Sequence, residues 1–239
     1  MNRLTDDSLT GQRGITGLET AIILIAFVVV ASVFAFTVLS TGIFSSERSK
    51  DTVFSGIKEA QSTLEPRGAI IAYKGLLTGG TSTIYKLSLV LSNAVAGEPV
   101  DLTPSYDTDD AANDPDIISG AKQVTVVSFT DKNQAFNDLP FTVNYLGDND
   151  GDDLLENNEK AEITVWLLDR VTGTAIGTAG SVAYMDGSGD GGGGGGITSS
   201  DTFLIASDEF TLQIQPPSGA VLNIKRRLPT QLDTVMDLN

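Results

Sequence analysis

The amino-acid sequence predicts an α+β protein: a long N-terminal hydrophobic α-helix followed by an Ig-like antiparallel β-sandwich. Three observations carry that prediction. Ala21 to Leu39 is an uncharged run rich in Ile, Val, Phe and Ala. An intermittent apolar stripe then continues through Phe44, Val53, Phe54, Ile57 and Leu64. Beyond Pro66 the apolar residues recur with a period of two, the mark of half-buried strands.

Taken in order, residues 1–14 (MNRLTDDSLTGQRG) are short and polar and read as a leader. Residues 15–65 read as one core helix. Its uncharged part approaches the roughly 20 residues that cross a hydrocarbon layer. The whole, from about Thr16 to Leu64, would be about 70 Å long at 1.5 Å per residue, far more than a bilayer needs. Pro66 with Gly68 is expected to end it.

Residues 66–239 read as the sandwich. In TIYKLSLVLS, Tyr85, Leu87, Leu89 and Leu91 alternate with Lys86, Ser88 and Ser92. Comparable runs are Ala69–Tyr73, Gln123–Phe129, Glu162–Leu168, Ser181–Met185, Glu209–Gln215 and Ala220–Lys225, giving seven or eight short strands. Asp186–Gly196 (DGSGDGGGGGG) is expected to be a loop at a hairpin tip. It has no downstream Lys-Ser/Thr and is not a phosphate-binding loop. Glu98–Asp116 reads as an acidic surface loop. Trp166 falls out of phase with Ile163, Val165 and Leu167 and reads as a packing residue, a subunit contact being one place for it.

Composition narrows the chemistry. Cysteine and histidine are both absent, which removes disulfides, zinc-thiolate sites and every His-dependent catalytic arrangement. A membrane-anchored carboxylate enzyme has little support, because no acid pair can be placed across a cleft. The 31 acidic and 15 basic residues leave a net charge of −16, which disfavours nucleic acid and anionic lipid as partners of the soluble part. Lys225, Arg226 and Arg227 form a basic cluster, read either as a counter-charge for an acidic neighbour or as a solvated strand end.

One segment has metal-ligand spacing. With Asp148 as position 1, Asp150 and Asp152 fall at 3 and 5, Glu156 at 9 and Glu159 at 12, as in an EF-hand calcium loop. Position 6 is Asp153 instead of glycine, and the following residues read as strand. A Ca2+ loop in a β context is expected, the alternative being a solvated acidic turn.

Arg13–Gly42 (RGITGLETAIILIAFVVVASVFAFTVLSTG) resembles the N-terminus of archaeal flagellins (archaellins), members of the type IV pilin-like superfamily. Glu209–Asn239, with its Pro-Pro-x-Gly turn and closing strand, resembles the archaellin C-terminus. The resemblance implies a class III signal peptide cut between Gly14 and Ile15 by a prepilin or preflagellin peptidase. It also implies a precursor held in the membrane, secretion into an extracellular filament for swimming motility, and an archaellum motor and platform as partners. The subunit's own partner is then itself, in a helical homopolymer or a mixed archaellin filament, with no catalytic role. A pilin-like adhesin that binds surfaces through Asp148–Glu159 or the glycine-rich loop is the alternative. Archaellins commonly carry N-glycans, but Asn-x-Ser/Thr is absent here.

Such a cut places the new amine of Ile15 about one helical turn from Glu19. Pairing of that amine with the Glu19 carboxylate, within a subunit or between neighbours, would make a buried charge tolerable. Gly17 and Gly42, with Ala21, Ala26, Ala31 and Ala35, are places where helices can approach closely.

Overall fold

A computed structural model describes residues 17–95, 97–104, 106–108, 115–117, 122–171, 173–185, 194–199 and 201–238. The predicted leader, the Gly14–Ile15 cut and most of the glycine-rich run lie outside the described residues. The chain divides into two compact units, Met1–Phe54 and Ser55–Asn239.

Helix α1 covers Gly17–Gln61, 45 residues. Its interior has no proline, and Glu19 in the first turn and Lys58 in the last are placed to suit the helix dipole. The helix stops three residues before the predicted Leu64, because Leu64–Pro66 is taken up as a strand against Ser92 and its neighbours. Sheet pairing, and not Pro66, therefore sets the helix end.

The strands are β1 Leu64–Pro66, β2 Ile71–Leu76, β3 Ser82–Asn93, β4 Val100–Asp101, β5 Tyr106–Thr108, β6 Pro115–Ile117, β7 Val126–Asp131 and β8 Ala135–Phe136. They continue with β9 Phe141–Leu146, β10 Leu154–Leu155, β11 Lys160–Trp166, β12 Asp169–Arg170, β13 Val182–Ala183, β14 Glu209–Gln215, β15 Leu222–Arg227 and β16 Val235–Asp237. One sheet has the order β16-β2-β3-β11-β9, with β1 also on β3, and the other β15-β14-β7-β8. All these pairings are antiparallel.

Alternation explains the packing. Leu87, Leu89, Ile163 and Val165 of the first sheet share one core cluster with Val127, Phe129, Leu212 and Ile214 of the second. Phe129 and Phe210 stack there with ring centroids 5.7 Å apart. Strand β9 was not among the expected strands, although Phe141, Val143 and Tyr145 do alternate with Thr142 and Asn144. The Glu98–Asp116 segment is not a free surface loop: β4 pairs with β10, and Val100 and Leu102 are buried.

Trp166 lies inside its own subunit, 1% exposed, and not at a surface contact. Its indole N–H donates to the Thr142 hydroxyl at 3.1 Å. Opposite Trp166 in register is Lys86. The Lys86 ammonium lies 4.8 Å from the Tyr73 ring centre, 4.9 Å from that of Trp166 and 5.7 Å from that of Tyr85. Burial pulls its pKa down, the Glu162 charge pushes it back up, and Arg170 lowers it. Such a cation over ring faces stabilises by about 1–2 kcal/mol, and the methylene stem adds apolar cover.

A second close contact ties the end of α1 to the sandwich. The loop between β14 and β15 contains Pro216, Pro217, Ser218 and Gly219, and Gly219 has φ of +103°. A Cβ there would run into the Ser62 carbonyl oxygen, well inside van der Waals contact. Glycine is required twice over, for the left-handed backbone and for the approach.

Gly219→Ala is expected to cost about 1–3 kcal/mol from φ alone and more from the overlap, lowering the melting temperature of the Ser55–Asn239 unit by about 5–10 °C. Lys86→Ala should red-shift Trp166 fluorescence, the chain having one tryptophan. Lys86→Met should retain most of the native emission, since its stem still covers the indole.

Candidate functional site: an apolar helix and an acidic loop

The helix presents its apolar side chains outward. Leu18, Ile22, Phe27, Val30, Phe34, Phe36 and Leu39 are each between 58% and 76% exposed. No residue of the most apolar 18-residue window is buried inside the chain. Water cannot be the final environment of such a surface, because each Val, Leu, Ile or Phe fully removed from water stabilises by about 1.5–3 kcal/mol.

Five hydroxyls on this helix are already satisfied by its own backbone. Ser32 donates to the Val28 carbonyl at 2.5 Å, Thr37 to Val33 at 2.8 Å and Thr41 to Thr37 at 2.8 Å. Ser49 and Thr52 repeat the pattern, each at 2.9 Å to the carbonyl four residues earlier. Each of these five hides its proton on its own backbone and asks little of its surroundings.

Glu19 is exposed in the first turn, and Gly17 is the first residue of α1. Nothing lies within 4 Å of where a Cβ would stand on Gly17 or Gly42, leaving open space on the helix surface there. Shallow grooves of about 310 Å3, lined by Phe36, Leu39, Ile43 and Phe44, and about 320 Å3, lined by Ile23, Leu24, Phe27 and Val28, run along the same helix.

The predicted calcium ligands all lie on the loop joining β9 to β11, which the Lys160–Leu146 pair closes. Asp148, Asp150, Asp152 and Glu156 are exposed and Glu159 is buried. The loop folds on its own amides. Asn149 accepts from Gly151 N–H at 2.7 Å, Asp150 from Asp152 at 3.3 Å and Asp152 from Leu154 at 2.9 Å. Glu159 accepts from Glu156 N–H at 2.9 Å. Leu155 anchors the middle by burial.

The donor set is all oxygen, as Ca2+ prefers. Among the described residues, however, no three carboxylates converge on a common point. Asp148, Asp150, Glu156 and Glu159 instead line an open depression of about 550 Å3. Tyr145, which the spacing did not single out, has a buried hydroxyl with no hydrogen-bond partner. Burial pushes its pKa above the usual phenol range, and the charges of Asp153, Asp152, Glu159 and Asp101 add to this. Finding Tyr145 and Asp101 needed the register of β9 and the β4–β10 pairing.

The basic cluster, although largely exposed, is partnered within its own chain. Lys225 pairs with Glu209 at 2.7 Å, Arg226 Nε donates to the Leu238 carbonyl at 2.7 Å and Arg227 Nε to that of Ser207 at 3.1 Å. These cations tie the C-terminal segment and a turn to β15.

Comparison with known proteins places this architecture. The archaeal-type flagellin family model matches residues 14–226. The relative named Probable flagellin 1 of Archaeoglobus fulgidus is 30% identical over 233 residues, covering 96% of this chain and 97% of its own. Probable flagellin 1 of Aeropyrum pernix is 28% identical over 230 residues, covering 93% and 95%. Among solved structures, the archaeal flagellum of Methanospirillum hungatei strain JF1 has the same fold, with a TM-score of 0.54 at 23% identity over 94% of this chain and 99% of that one.

Proposed function

We propose a function from the premise that this chain belongs to the archaeal-type flagellin family: it is a structural subunit that polymerises into the archaeal flagellum, the archaellum, for swimming motility. The observation that carries this reading is the apolar helix whose side chains are all left exposed in a single chain. Copies packed side by side supply the dry surroundings it lacks. The pilin-like adhesin reading is not favoured, because the relatives matched along nearly the whole chain are flagellins.

In this reading the helix has two successive homes. The precursor sits in the membrane with its leader on the cytoplasmic side, and a prepilin or preflagellin peptidase cuts between Gly14 and Ile15. The freed helix then moves into the filament core, where the Ile15 amine and the Glu19 carboxylate neutralise each other. Gly17 and Gly42 admit close helix approach. The sandwich faces outward, the subunit performs no catalysis, and torque comes from a separate motor and platform.

Calcium belongs to the same proposal. Its support is the all-oxygen donor set of Asp148, Asp150, Asp152, Glu156 and Glu159. Its role would be to stiffen the β9–β11 loop on the outer face by relieving repulsion among the carboxylates.

Electron microscopy of cells paired with a swimming assay after deletion tests the function; intact motility with lost adhesion would overturn it. Mass spectrometry of filament subunits should find a mature chain beginning at Ile15. Glu19→Ala should leave that cut intact and yield few or no filaments. Chelation should lower the melting temperature of the Ser55–Asn239 unit, and an unchanged melt refutes the calcium role.

A further inference from the structure

Beyond Phe44 the apolar surface of α1 narrows to a stripe, and one lysine stands in it. Phe36, Ile43, Lys50 and Ile57 follow one another at seven-residue intervals, with Leu39 and Val53 three residues beyond Phe36 and Lys50. At about 3.6 residues per turn such positions fall along one side of a helix, the spacing of a helix–helix seam. Phe36, Leu39, Ile43, Val53 and Ile57 are between 46% and 73% exposed, so the stripe is open on either side of the lysine.

Lys50 is itself exposed, and its ammonium has no ion pair or hydrogen bond among the described residues. The other cations of the helix are engaged: Arg48 lies over the Phe44 ring, 5.5 Å from its centre, and Lys58 pairs with Glu98 at 2.8 Å. Glu47 stands three residues before Lys50, a spacing that allows an ion pair along a helix, yet none forms. A helix that packs along both Ile43 and Val53 has to pass over Lys50, since those positions are only about 15 Å apart and packed axes lie about 8–10 Å from each other. In the filament reading α1 of a neighbouring copy is that helix. The ammonium then passes from water into a seam that is apolar on both sides of it. Left unpaired there, the charge is strongly unfavourable, and a carboxylate on the covering helix removes the cost.

We propose that Lys50 fixes the axial register between neighbouring subunits by pairing with a carboxylate on α1 of a second copy: Glu47, Asp51 or Glu59. These three have no ion pair among the described residues, and Glu19, the remaining carboxylate of the helix, is the one assigned to the Ile15 amine. The Leu18–Phe44 surface is apolar and admits many staggers of one helix past another. A single cation in the seam admits only those that bring a carboxylate to it, the way one lysine at a seam position selects register at some cost in stability. The contact joins different residues on the two copies, the heterologous kind that propagates into an open helical polymer.

The inference rests on the filament reading, and the experiment separates the two. Filaments sheared from cells that make only this chain are treated with a zero-length carbodiimide, and the dimer isolated under denaturing conditions is mapped by peptide mass. The expected dimer is joined by an amide between Lys50 Nζ and Glu47, Asp51 or Glu59. Lys50→Arg filaments, which keep the charge but lack the amine, should not give it. No link at Lys50 while other lysines join chains, or a Lys50 link to a carboxylate outside α1, overturns the pairing. Lys50→Met should still assemble, because its stem remains apolar, but electron micrographs should show more than one axial rise where the wild type shows one. A single, wild-type rise in that variant overturns the register role. Absence of filaments from the wild-type chain would instead overturn the filament reading.

Discussion

The controlling constraint is that the helix surface between Leu18 and Phe44 is apolar, continuous and unburied by its own chain. At 1.5 Å per residue, 45 residues extend about 68 Å, more than twice a hydrocarbon core of about 30 Å. A membrane can house one stretch of it, and the remainder alternates apolar with charged positions. In the filament reading, polymerisation buries the surface that folding leaves wet. Ser32, Thr37 and Thr41, each bonded to its own backbone, need no new partner when that happens.

The sandwich solves a different problem, which is to remain folded without disulfides. Its core draws on both sheets, and close contacts at defined points supplement it. Gly219 lets the β14–β15 loop press against Ser62, just beyond the helix end, where any side chain would collide. Lys86 spreads over Tyr73, Tyr85 and Trp166, so a charged residue serves as the cover of the largest buried side chain. The basic residues of β15 fasten the segment around Leu238 and the turn at Ser207.

Charge is the remaining variable. With 31 acidic residues against 15 basic, copies repel wherever like surfaces meet. The loop from Asp148 to Glu159 concentrates this cost, yet its carboxylates are partly occupied in organising the loop's own backbone.

Periodicity alone determined that there is a long helix, that it is too long for a bilayer, and that alternating strands follow it, because apolar spacing reports directly which faces must be dry. The Arg13–Gly42 run carried the family, and Asp148–Glu159 announced an oxygen-rich loop. Tertiary structure decided what depends on partners distant in sequence. Pairing with β3 claims Leu64–Pro66 and ends the helix at Gln61; register with Lys86 and Thr142 puts Trp166 in the interior; β9 brings Tyr145 to the acidic loop. Ligand spacing could not reveal that the loop's backbone amides already occupy several of its carboxylates, because an Asp that accepts an N–H two residues ahead looks the same in sequence as one free to hold an ion.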